Sequence, residues 1–523
     1  MPHSHVLEPT PARPASLTNR LLDGIERVGN ALPDPVTLFV LLCLVVVLGS
    51  HWAASTGMSV IKPGTDDVIT PVSLLSAATL QQWLVDAPKH FATFPPLATV
   101  LVALIGVGVA ERSGLLGTVL ARIVMCAPRR LMTPIVVLVG IMSNLASDVG
   151  YVVVIPLAAM IFASAGRHPL AGLAAAFAGT SAGFSANLLV STLDPLLGGL
   201  TEAAAHLIDP AWQVSALANY YFMAASAIAL TAVAWYVTDR IIEPRLPQWQ
   251  GNAGAADTPR ADAASRAAEQ RGLRAAGLVA LLTTGLLLAL WLPEGGILRD
   301  PVKGTLLPSP FINGIVVVIM VVFLLPGIAY GLAAGSMRND RDVARAMGDS
   351  LSEMGYYLVM VFFAAQFIAL FGQSKLGVLL AVNGAEAISA SGLSGMPLLL
   401  TFVLFTAAVN LVIGSASAKW ALLAPIFVPM LMLLGFTPEA TQLAYRIGDS
   451  VSNIISPMMV YFPIVLVMAK RYLPEYGLGS LITLMLPYSL AFTLAWSLLM
   501  TVWIGLDIPI GPGIAIHLPT TLH

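Results

Sequence analysis

The sequence PLLLTFVLFTAAVNLVIGSASAKWALLAPIFVPMLMLLGFT at residues 397–437 has two apolar arms around the polar centre NLVIGSASAKW (410–420). The arms are apolar enough for a bilayer, but the centre is too polar for a simple crossing. Non-helical backbone is tolerated at membrane depth only where protein or a watery cavity surrounds it. We therefore expect a re-entrant helical hairpin. The stretch 131–165, with the centre SNLASD at 143–148, predicts a second one.

The amino-acid composition indicates a membrane protein surrounded by lipid. Of the 523 residues, 57% are apolar and 10% are charged, whereas roughly 25% of the residues of a soluble domain are charged. The net charge of −2 gives no reason to expect a nucleic-acid partner. The two cysteines, Cys43 and Cys126, both lie in apolar segments, which excludes a disulfide framework.

Hydropathy predicts an all-α membrane protein with about nine transmembrane helices plus two re-entrant helical hairpins. Two of the nine crossings, 170–200 and 440–469, are interrupted by Gly, Asn, Asp and Pro, which predicts broken helices. Each of the others offers the roughly 20 apolar residues that span the hydrocarbon core. These simple crossings are predicted near residues 36–56, 92–111, 218–238, 272–292, 311–332, 350–371 and 480–506.

The crossings divide the chain into two repeats joined by a polar linker. The N-terminus lacks the pattern of a signal peptide, and the apolar face of residues 16–30 predicts a short helix on the membrane surface. The predicted units are a cytoplasmic N-terminal segment at 1–30, a first repeat at 31–238, a cytoplasmic linker at 239–271, a connecting transmembrane helix at 272–292 and a second repeat at 311–507.

The positive charges follow the positive-inside rule. If the N-terminus is cytoplasmic, 19 of the 26 lysines and arginines fall inside and 5 outside, while Lys419 and Arg446 lie at membrane depth. We therefore expect a multi-pass protein of the bacterial inner membrane with its N-terminus in the cytoplasm.

The two repeats share a spacing of asparagines. Asn144 stands 43 residues before Asn187, and Asn410 stands 43 residues before Asn453. Each repeat holds four crossings and one helix lies between them, so the second repeat starts on the opposite side of the membrane. Such inverted repeats are typical of secondary transporters, whose sites lie where two broken helices meet. The alternative is a coincidence of spacing.

Ionisable residues at membrane depth indicate a site because each costs about 2.5–3.5 kcal/mol unless it is paired or hydrated. Besides Lys419 and Arg446, three aspartates lie at this depth: Asp148, Asp194 and Asp449. Arg446 and Asp449 are three residues apart on one helical face and would make a structural pair. Asp194 would serve as a helix N-cap. Neither alternative explains the polar hairpins, so we expect at least part of the cluster to bind a solute.

The stretch GSASAKWALLAPIFVPMLM (414–432), followed by AYRIGDSVSNIISPMM (444–459), resembles the AbgT family of p-aminobenzoyl-glutamate transporters. GRHPLAGLAAAFAGTSAGFSANLLVSTLDPLL (166–197) is similar to the same family. The resemblance implies a homodimer with nine crossings and two hairpins per subunit. It also implies ion-coupled transport of p-aminobenzoyl-glutamate, a folate breakdown product, or efflux of sulfonamide antimetabolites driven by the proton-motive force.

The matching motifs carry the family's site residues over to this sequence. The residues expected to bind substrate are Asp194, Ser417, Trp420, Arg446, Asp449 and Pro457. The residues expected to bind an ion are Asn410, Asp449 and Asn453, with Asn144 and Asn187 added by the repeat. Lys419 departs from family members that have an uncharged residue there, which bears on charge selectivity and on the coupling ion.

These side chains suit a small aromatic anion as substrate. Arg446 can grip a carboxylate or sulfonyl group through two hydrogen bonds. Trp420 can stack on an aromatic ring, or it can be an ordinary packing aromatic. Pro457 is more readily a kink than a contact.

Two kinds of ion coupling remain open. Asp194 and Asp449 would exchange protons, or Na⁺ would bind at Asn410, Asp449 and Asn453; we expect no other cofactor. No nucleophile–base constellation, metal motif or phosphate loop appears, so we do not expect an enzyme. An ion channel is the distant alternative, and it would show current that does not saturate with solute.

Overall fold

The computed structural model describes the chain in six stretches, which are residues 33–61, 68–146, 150–247, 249, 263–307 and 309–518. The N-terminal segment at 1–30 with its predicted surface helix, the middle of the linker at 239–271, and Asp148 lie outside the described residues.

The first repeat is helical except for a two-stranded antiparallel ribbon, in which β1 (Val60–Ile61) pairs with β2 (Val68–Ile69). Its described α-helices are α1 (Pro35–Ser55), α2 (Ala77–Ala92), α3 (Pro95–Arg112), α4 (Leu115–Met125), α5 (Met132–Met142), α6 (Ile155–Ser164), α7 (Pro169–Phe177), α8 (Leu193–Ala205) and α9 (Tyr220–Val237).

The connecting helix and the second repeat follow the linker. Their described α-helices are α10 (Ala263–Trp291), α11 (Pro310–Asn313), α12 (Ile315–Ala334), α13 (Asp340–Ser352), α14 (Gly355–Gln373), α15 (Leu376–Ala390), α16 (Gly395–Asn410), α17 (Ala416–Leu433), α18 (Pro438–Val451), α19 (Phe462–Lys470) and α20 (Leu478–Gly505).

The helices confirm the predicted all-α membrane fold. In the described part of the chain, 8 helical spans are long and apolar enough to cross a membrane, or up to 10 when each of two sharply bent helix pairs counts as one span. This range includes the nine crossings expected from hydropathy. A bilayer requires such structure because backbone N–H and C=O groups must be satisfied within the segment.

The two bent helix pairs occupy equivalent places in the two repeats. The first bend, 114°, lies between α4 and the helical segment that begins at Arg129; the second, 116°, lies between α15 and α16, which begins at Gly395. Arg129 and Gly395 each stand 15 residues before the asparagine of their repeat, Asn144 or Asn410. The equal positions and nearly equal angles extend the likeness of the repeats from asparagine spacing to backbone shape.

One glycine in each repeat lets two helices of that repeat approach closely. A Cβ added at Gly179 would lie 2.4 Å from the carbonyl oxygen of Val137, and one added at Gly448 would lie 2.3 Å from that of Val403. Each of these valines stands seven residues before the asparagine of its repeat. Only glycine permits such an approach of one backbone to another.

Four interruptions of helix position the polar side chains. In the predicted hairpin at 131–165, α5 and α6 are separated by residues 143–154, of which 147–149 lie outside the description; in the hairpin at 397–437, α16 and α17 are separated by residues 411–415. Of the predicted broken helices, the first is interrupted after the π-helical turn Ala178–Ala182 that continues α7, and the second after α18.

The second repeat places its charged residues side by side through an antiparallel helix pair. Ser415 caps α17 by accepting a hydrogen bond from Ala418 N (3.4 Å), and Thr437 caps α18 by accepting one from Ala440 N (3.3 Å). Because only a short loop at 434–437 joins these packed helices, the first turn of α17 lies beside the last turns of α18.

Candidate functional site

The broken helices of the two repeats touch each other at their interruptions. The amide nitrogen of Asn453 donates a hydrogen bond to the carbonyl oxygen of Ser181 (3.2 Å), and the Ser181 hydroxyl donates to Met459 Sδ (3.5 Å). The predicted meeting of the two broken helices is therefore present.

The asparagines of the second repeat bond each other directly. Asn410 Nδ2 lies 2.8 Å from Asn453 Oδ1, 2.8 Å from the carbonyl oxygen of Asp449 and 3.0 Å from the hydroxyl of Ser452. One amide side chain thus fixes the end of α18 against the end of α16, and the carbonyl of Asp449 is satisfied where the helix stops.

The asparagines of the first repeat meet on a shared backbone carbonyl. Asn144 Nδ2 donates to the carbonyl oxygen of Ile141 (3.0 Å), and the Asn187 amide, oriented with its nitrogen toward the same oxygen, donates at 3.1 Å. The spacing of 43 residues thus brings both asparagine pairs together, which a coincidence of spacing would not require.

Arg446 forms its ion pair with Asp194 of the other repeat and not with Asp449. Arg446 Nη1 lies 2.6 Å from Asp194 Oδ1, and Nη2 donates to the carbonyl oxygen of Ser185 (3.3 Å). The arginine side chain is 1% exposed and the aspartate 12%. Asp194 also accepts from the backbone N of Ser191 (2.6 Å), but it lies in the first turn of α8 and is not its N-cap.

Asp449 forms its ion pair with Lys419. Lys419 Nζ lies 2.6 Å from Asp449 Oδ1, donates to Asn410 Oδ1, and lies 3.3 Å from the carbonyl oxygen of Ile413. The two charged side chains are 0% and 2% exposed. The hydroxyl of Tyr445 is a further neighbour of Asp449, at 3.3 Å. The alternative of a structural pair between Arg446 and Asp449 is therefore wrong, because each of these residues pairs with a different partner.

Trp420 is a fully buried packing residue in this conformation. Its ring stacks on Tyr445 at 4.3 Å between centroids, and its Nε1 donates to the Thr201 hydroxyl (2.9 Å). The hydrogen bonds continue from the Thr201 hydroxyl, which donates to Gln442 Oε1 (2.5 Å), to Gln442 Nε2, which donates to Asn219 Oδ1 (2.9 Å). These contacts favour the packing alternative for Trp420 and tie α17 and α18 to α8.

A cavity of about 300 Å³ opens beside the meeting point of the repeats. Its walls include Asn144 from the first repeat and Asn453 and Asp449 from the second, and Asp449 is the charged residue among the described lining. Tyr151 and Tyr461 also line it, stacked on each other at 4.0 Å with an angle of 11° between their planes. The cavity thus offers an aromatic surface close to a carboxylate.

The other expected site residues do not line this cavity in the described conformation. Ser417 and Pro457 are half-buried, whereas Arg446 and Asp194 lie behind the wall as a buried pair. The two tyrosines were missed because nothing in the sequence distinguishes an aromatic residue at a helix interruption from one in the core. The available signal was the position of Tyr151, three residues after the polar centre 143–148 of the predicted hairpin, where the structure has the π-helical turn Gly150–Val154.

Comparison with known proteins points to one family over nearly the whole chain. A model of the AbgT putative transporter family matches residues 20–518. The p-aminobenzoyl-glutamate transport protein of Escherichia coli (strain K12) is 39% identical over 500 residues, covering 96% of this chain and 97% of that protein.

Two solved structures are similar in fold and in sequence. The Alcanivorax borkumensis YdaH transporter superposes with a TM-score of 0.88 at 45% identity and covers 92% of this chain and 100% of its own. Neisseria gonorrhoeae MtrF, described as illuminating a class of antimetabolite efflux pumps, superposes with a TM-score of 0.89 at 46% identity and covers 95% of this chain and 100% of its own. These relatives are transporters and not enzymes.

Proposed function

The chain belongs to the AbgT putative transporter family, and we propose that it is a secondary active transporter of p-aminobenzoyl-glutamate, driven by an ion gradient across the bacterial inner membrane. The observation that carries the proposal is the cavity at the junction of the two broken helices. Asn144, Asp449 and Asn453 reach its wall from both repeats. A site shared by two repeats can open to either side when one repeat moves against the other.

Arg446 is the proposed anchor for a carboxylate of the substrate. Its guanidinium holds Asp194 through Nη1 alone, and among the described residues its buried Nε has no hydrogen-bond partner. A substrate carboxylate that displaced Asp194 would accept two parallel hydrogen bonds in place of one. Exchange of Asp194 for the substrate is therefore our proposed binding step.

The stacked pair of Tyr151 and Tyr461 is the proposed surface for the aminobenzoyl ring. The two rings come from different repeats and line the cavity, whereas Trp420 is buried against Tyr445. Aromatic side chains bind a flat ring by offset stacking, worth about 0.5–1.5 kcal/mol beyond the buried area. Movement of one repeat would separate the tyrosines and admit the ring between them.

Uptake of radiolabelled p-aminobenzoyl-glutamate into proteoliposomes tests the proposal. We expect saturable uptake that accumulates substrate when a pH or Na⁺ gradient is imposed, with the two gradients applied separately. Arg446→Lys should lose most of this uptake, because an ammonium cannot present the planar fork of a guanidinium.

A matched control is Arg167→Lys, because Arg167 is also partly buried in ion pairs, with Asp239 at 2.6 Å and with Glu243, away from the cavity. It should transport normally. Wild-type proteoliposomes that neither bind nor accumulate p-aminobenzoyl-glutamate would reject the proposed substrate. Current that rises without saturation would indicate a channel.

Efflux of sulfonamide antimetabolites is the second candidate function. The similarity to MtrF over 95% of the chain favours it, and a sulfonamide shares the aminobenzene half of the first substrate. In the same proteoliposomes, a sulfonamide should compete for uptake of p-aminobenzoyl-glutamate if one site takes both. Sulfonamide movement that is insensitive to p-aminobenzoyl-glutamate would separate the two functions.

A further inference from the structure

The oxygen atoms around the Lys419 ammonium are those that a broken helix offers to a sodium ion. They are a carboxylate oxygen of Asp449, the amide oxygen of Asn410 and the carbonyl oxygen of Ile413. Ile413 lies in the interruption between α16 and α17, where carbonyls are released from helical bonds. Unwound carbonyls of this kind coordinate Na⁺ in secondary transporters.

We propose that Lys419 is a built-in cation, whose ammonium holds the sodium position of the second repeat, so that transport uses no Na⁺ there. An ammonium has three N–H donors and no acceptor, and the three oxygens satisfy all of them. The consequence for ion coupling rests on the proposed transport function. Occupation of the sodium position by the Lys419 ammonium is a property of the folded chain and does not depend on the substrate.

The charge balance of the buried cluster excludes simultaneous occupancy. Lys419 balances Asp449, and Arg446 balances Asp194, with both pairs removed from water. A sodium ion at the same oxygens would leave one positive charge uncompensated in a site of low polarity, which is strongly unfavourable. It would also have to displace an ammonium that is covalently tethered to α17.

The fold holds the lysine in place along its length. Lys419 lies in the first turn of α17, where its backbone N–H donates to the carbonyl oxygen of Ser415 (3.0 Å). Its Nζ lies 5.9 Å from the centroid of the Tyr445 ring, within reach of a cation–π attraction. The neighbouring Trp420 stacks on the same tyrosine, so the ammonium lies beside a closely packed aromatic pair.

Thermal unfolding of the purified protein with NaCl or KCl at equal ionic strength tests the inference. The wild type should show no Na⁺-specific shift of Tm. Lys419→Met keeps the length of the side chain but leaves Asp449 without its cation. It should gain a saturable, Na⁺-specific rise in Tm of roughly 1–3 °C at tenfold excess over Kd.

Four further variants complete the test. Asp449→Asn added to Lys419→Met should abolish the gained shift, and Lys470→Met, at an exposed lysine, should show none. Lys419→Gln repeats the test if the methionine variant fails to fold. A Na⁺-specific shift in the wild type that disappears in Asn453→Ala, or folded Lys419 variants that never respond to Na⁺, would overturn the inference.

The same protein separates this inference from the proposed function. Flux of p-aminobenzoyl-glutamate that requires Na⁺ in the wild type and loses this requirement in Asn453→Ala would overturn the built-in cation while leaving the transporter intact. Absence of that flux would reject the substrate, yet the sodium titration of the Lys419 variants would still decide occupancy.

Discussion

In the first repeat, Asn144 and Asn187 meet on the carbonyl oxygen of Ile141, whereas in the second repeat Asn410 bonds Asn453 directly and also accepts from Lys419. The backbones around the two pairs are alike, with bends of 114° and 116° placed at equal distances from the asparagines. The side chains are not alike, because the second repeat carries both buried cations of the cluster.

Backbone shape and charge therefore have separate origins in this molecule. Shape follows the repeat, since glycines at the crossing points and interruptions at the asparagines occur in both units. The two buried cations of the cluster both lie in the second repeat. One of them is balanced across the interface, because Asp194 of the first repeat neutralises Arg446 of the second. Binding specificity is therefore expected to depend mainly on the second repeat.

The largest expected effect comes from the ion pair between the repeats. Arg446→Lys should lower transport about 10- to 100-fold, the value of a lost charged hydrogen bond of about 1.5–3 kcal/mol. The stability of Arg446→Lys should fall less than that of Arg446→Ala, which leaves the Asp194 carboxylate without its cation at a cost of about 3–5 kcal/mol. Proteoliposome uptake and thermal unfolding measure the two effects.

The double variant Asp194→Asn/Arg446→Gln distinguishes binding from mere neutralisation. It removes both charges, so it should recover most of the stability that Arg446→Ala loses. Transport should remain low because no guanidinium is left to hold a carboxylate. Wild-type transport by this double variant would mean that the pair is structural and that the second repeat holds no anion anchor.

The glycine contacts test whether the two repeats are equally tight at their crossings. Gly448→Ala would place Cβ 1.9 Å from Thr406 Oγ1 and 2.3 Å from the carbonyl oxygen of Val403. Gly179→Ala would place it 2.4 Å from the carbonyl oxygen of Val137. We expect both to lower the free energy of unfolding by about 1–3 kcal/mol or more through overpacking.

Gly277→Ala is the control for these two variants, because a Cβ there meets nothing within 4 Å. It should unfold at or slightly above the temperature of the wild type, since alanine favours helix over glycine. If only one of the two crossing glycines is sensitive, the repeats differ in packing as well as in charge.

The asparagine pairs should differ in their contribution to stability. Asn453→Ala removes the acceptor of Asn410 and the donor to Ser181 of the other repeat. Asn187→Ala removes a donor to the carbonyl oxygen of Ile141 (3.1 Å) and a donor to that of the adjacent Ala186 (3.2 Å), and the second is a local bond that the unfolded chain can also form. Because a buried hydrogen bond contributes about 1 kcal/mol, we expect a loss of about 2 kcal/mol for Asn453→Ala. The loss for Asn187→Ala should be about 1 kcal/mol, and equal losses would contradict the asymmetry.

Much of the fold could be predicted because hydropathy and helix interruption are local properties. The polar centres of the stretches 131–165 and 397–437 predict their helix interruptions from composition alone. A lipid environment permits little besides helices. The bend angles could not be predicted, since they depend on how α4 and α15 pack against helices that are distant in sequence.

The partners of the two buried ion pairs could not be predicted from the sequence. Helical periodicity favours Arg446 with Asp449, three residues apart, yet Arg446 pairs with Asp194, 252 residues away. A lone sequence cannot show that Lys419 reaches Asp449 first, because that depends on the antiparallel packing of α17 and α18. The proximity of Asn410 and Asn453 could be predicted, because both repeats share the same 43-residue spacing of asparagines.

The smallest effect on activity, and a direct test of inversion, concerns the loops before α5 and α16. Cys126 precedes the first of these helices and is exposed; Ser394, also exposed, precedes the second and makes no side-chain capping bond. If the repeats are inverted, these equivalent loops lie on opposite sides of the membrane. The positive-inside rule assigns Cys126 to the cytoplasm, since Arg122, Arg129 and Arg130 flank it.

An impermeant maleimide added to intact cells should therefore spare Cys126 and label Ser394→Cys in a Cys126→Ser background. Cys43→Ala in both proteins removes the remaining thiol, and permeabilised cells should label both, which controls for reactivity. Transport should stay near the wild-type level because neither side chain contacts the cluster. Labelling of both cysteines from the same side would mean that the two repeats are parallel. Asn144 of the first repeat and Asn453 of the second would then approach the cavity from the same side of the membrane, and a carrier in which each repeat gates one side could not be built from them.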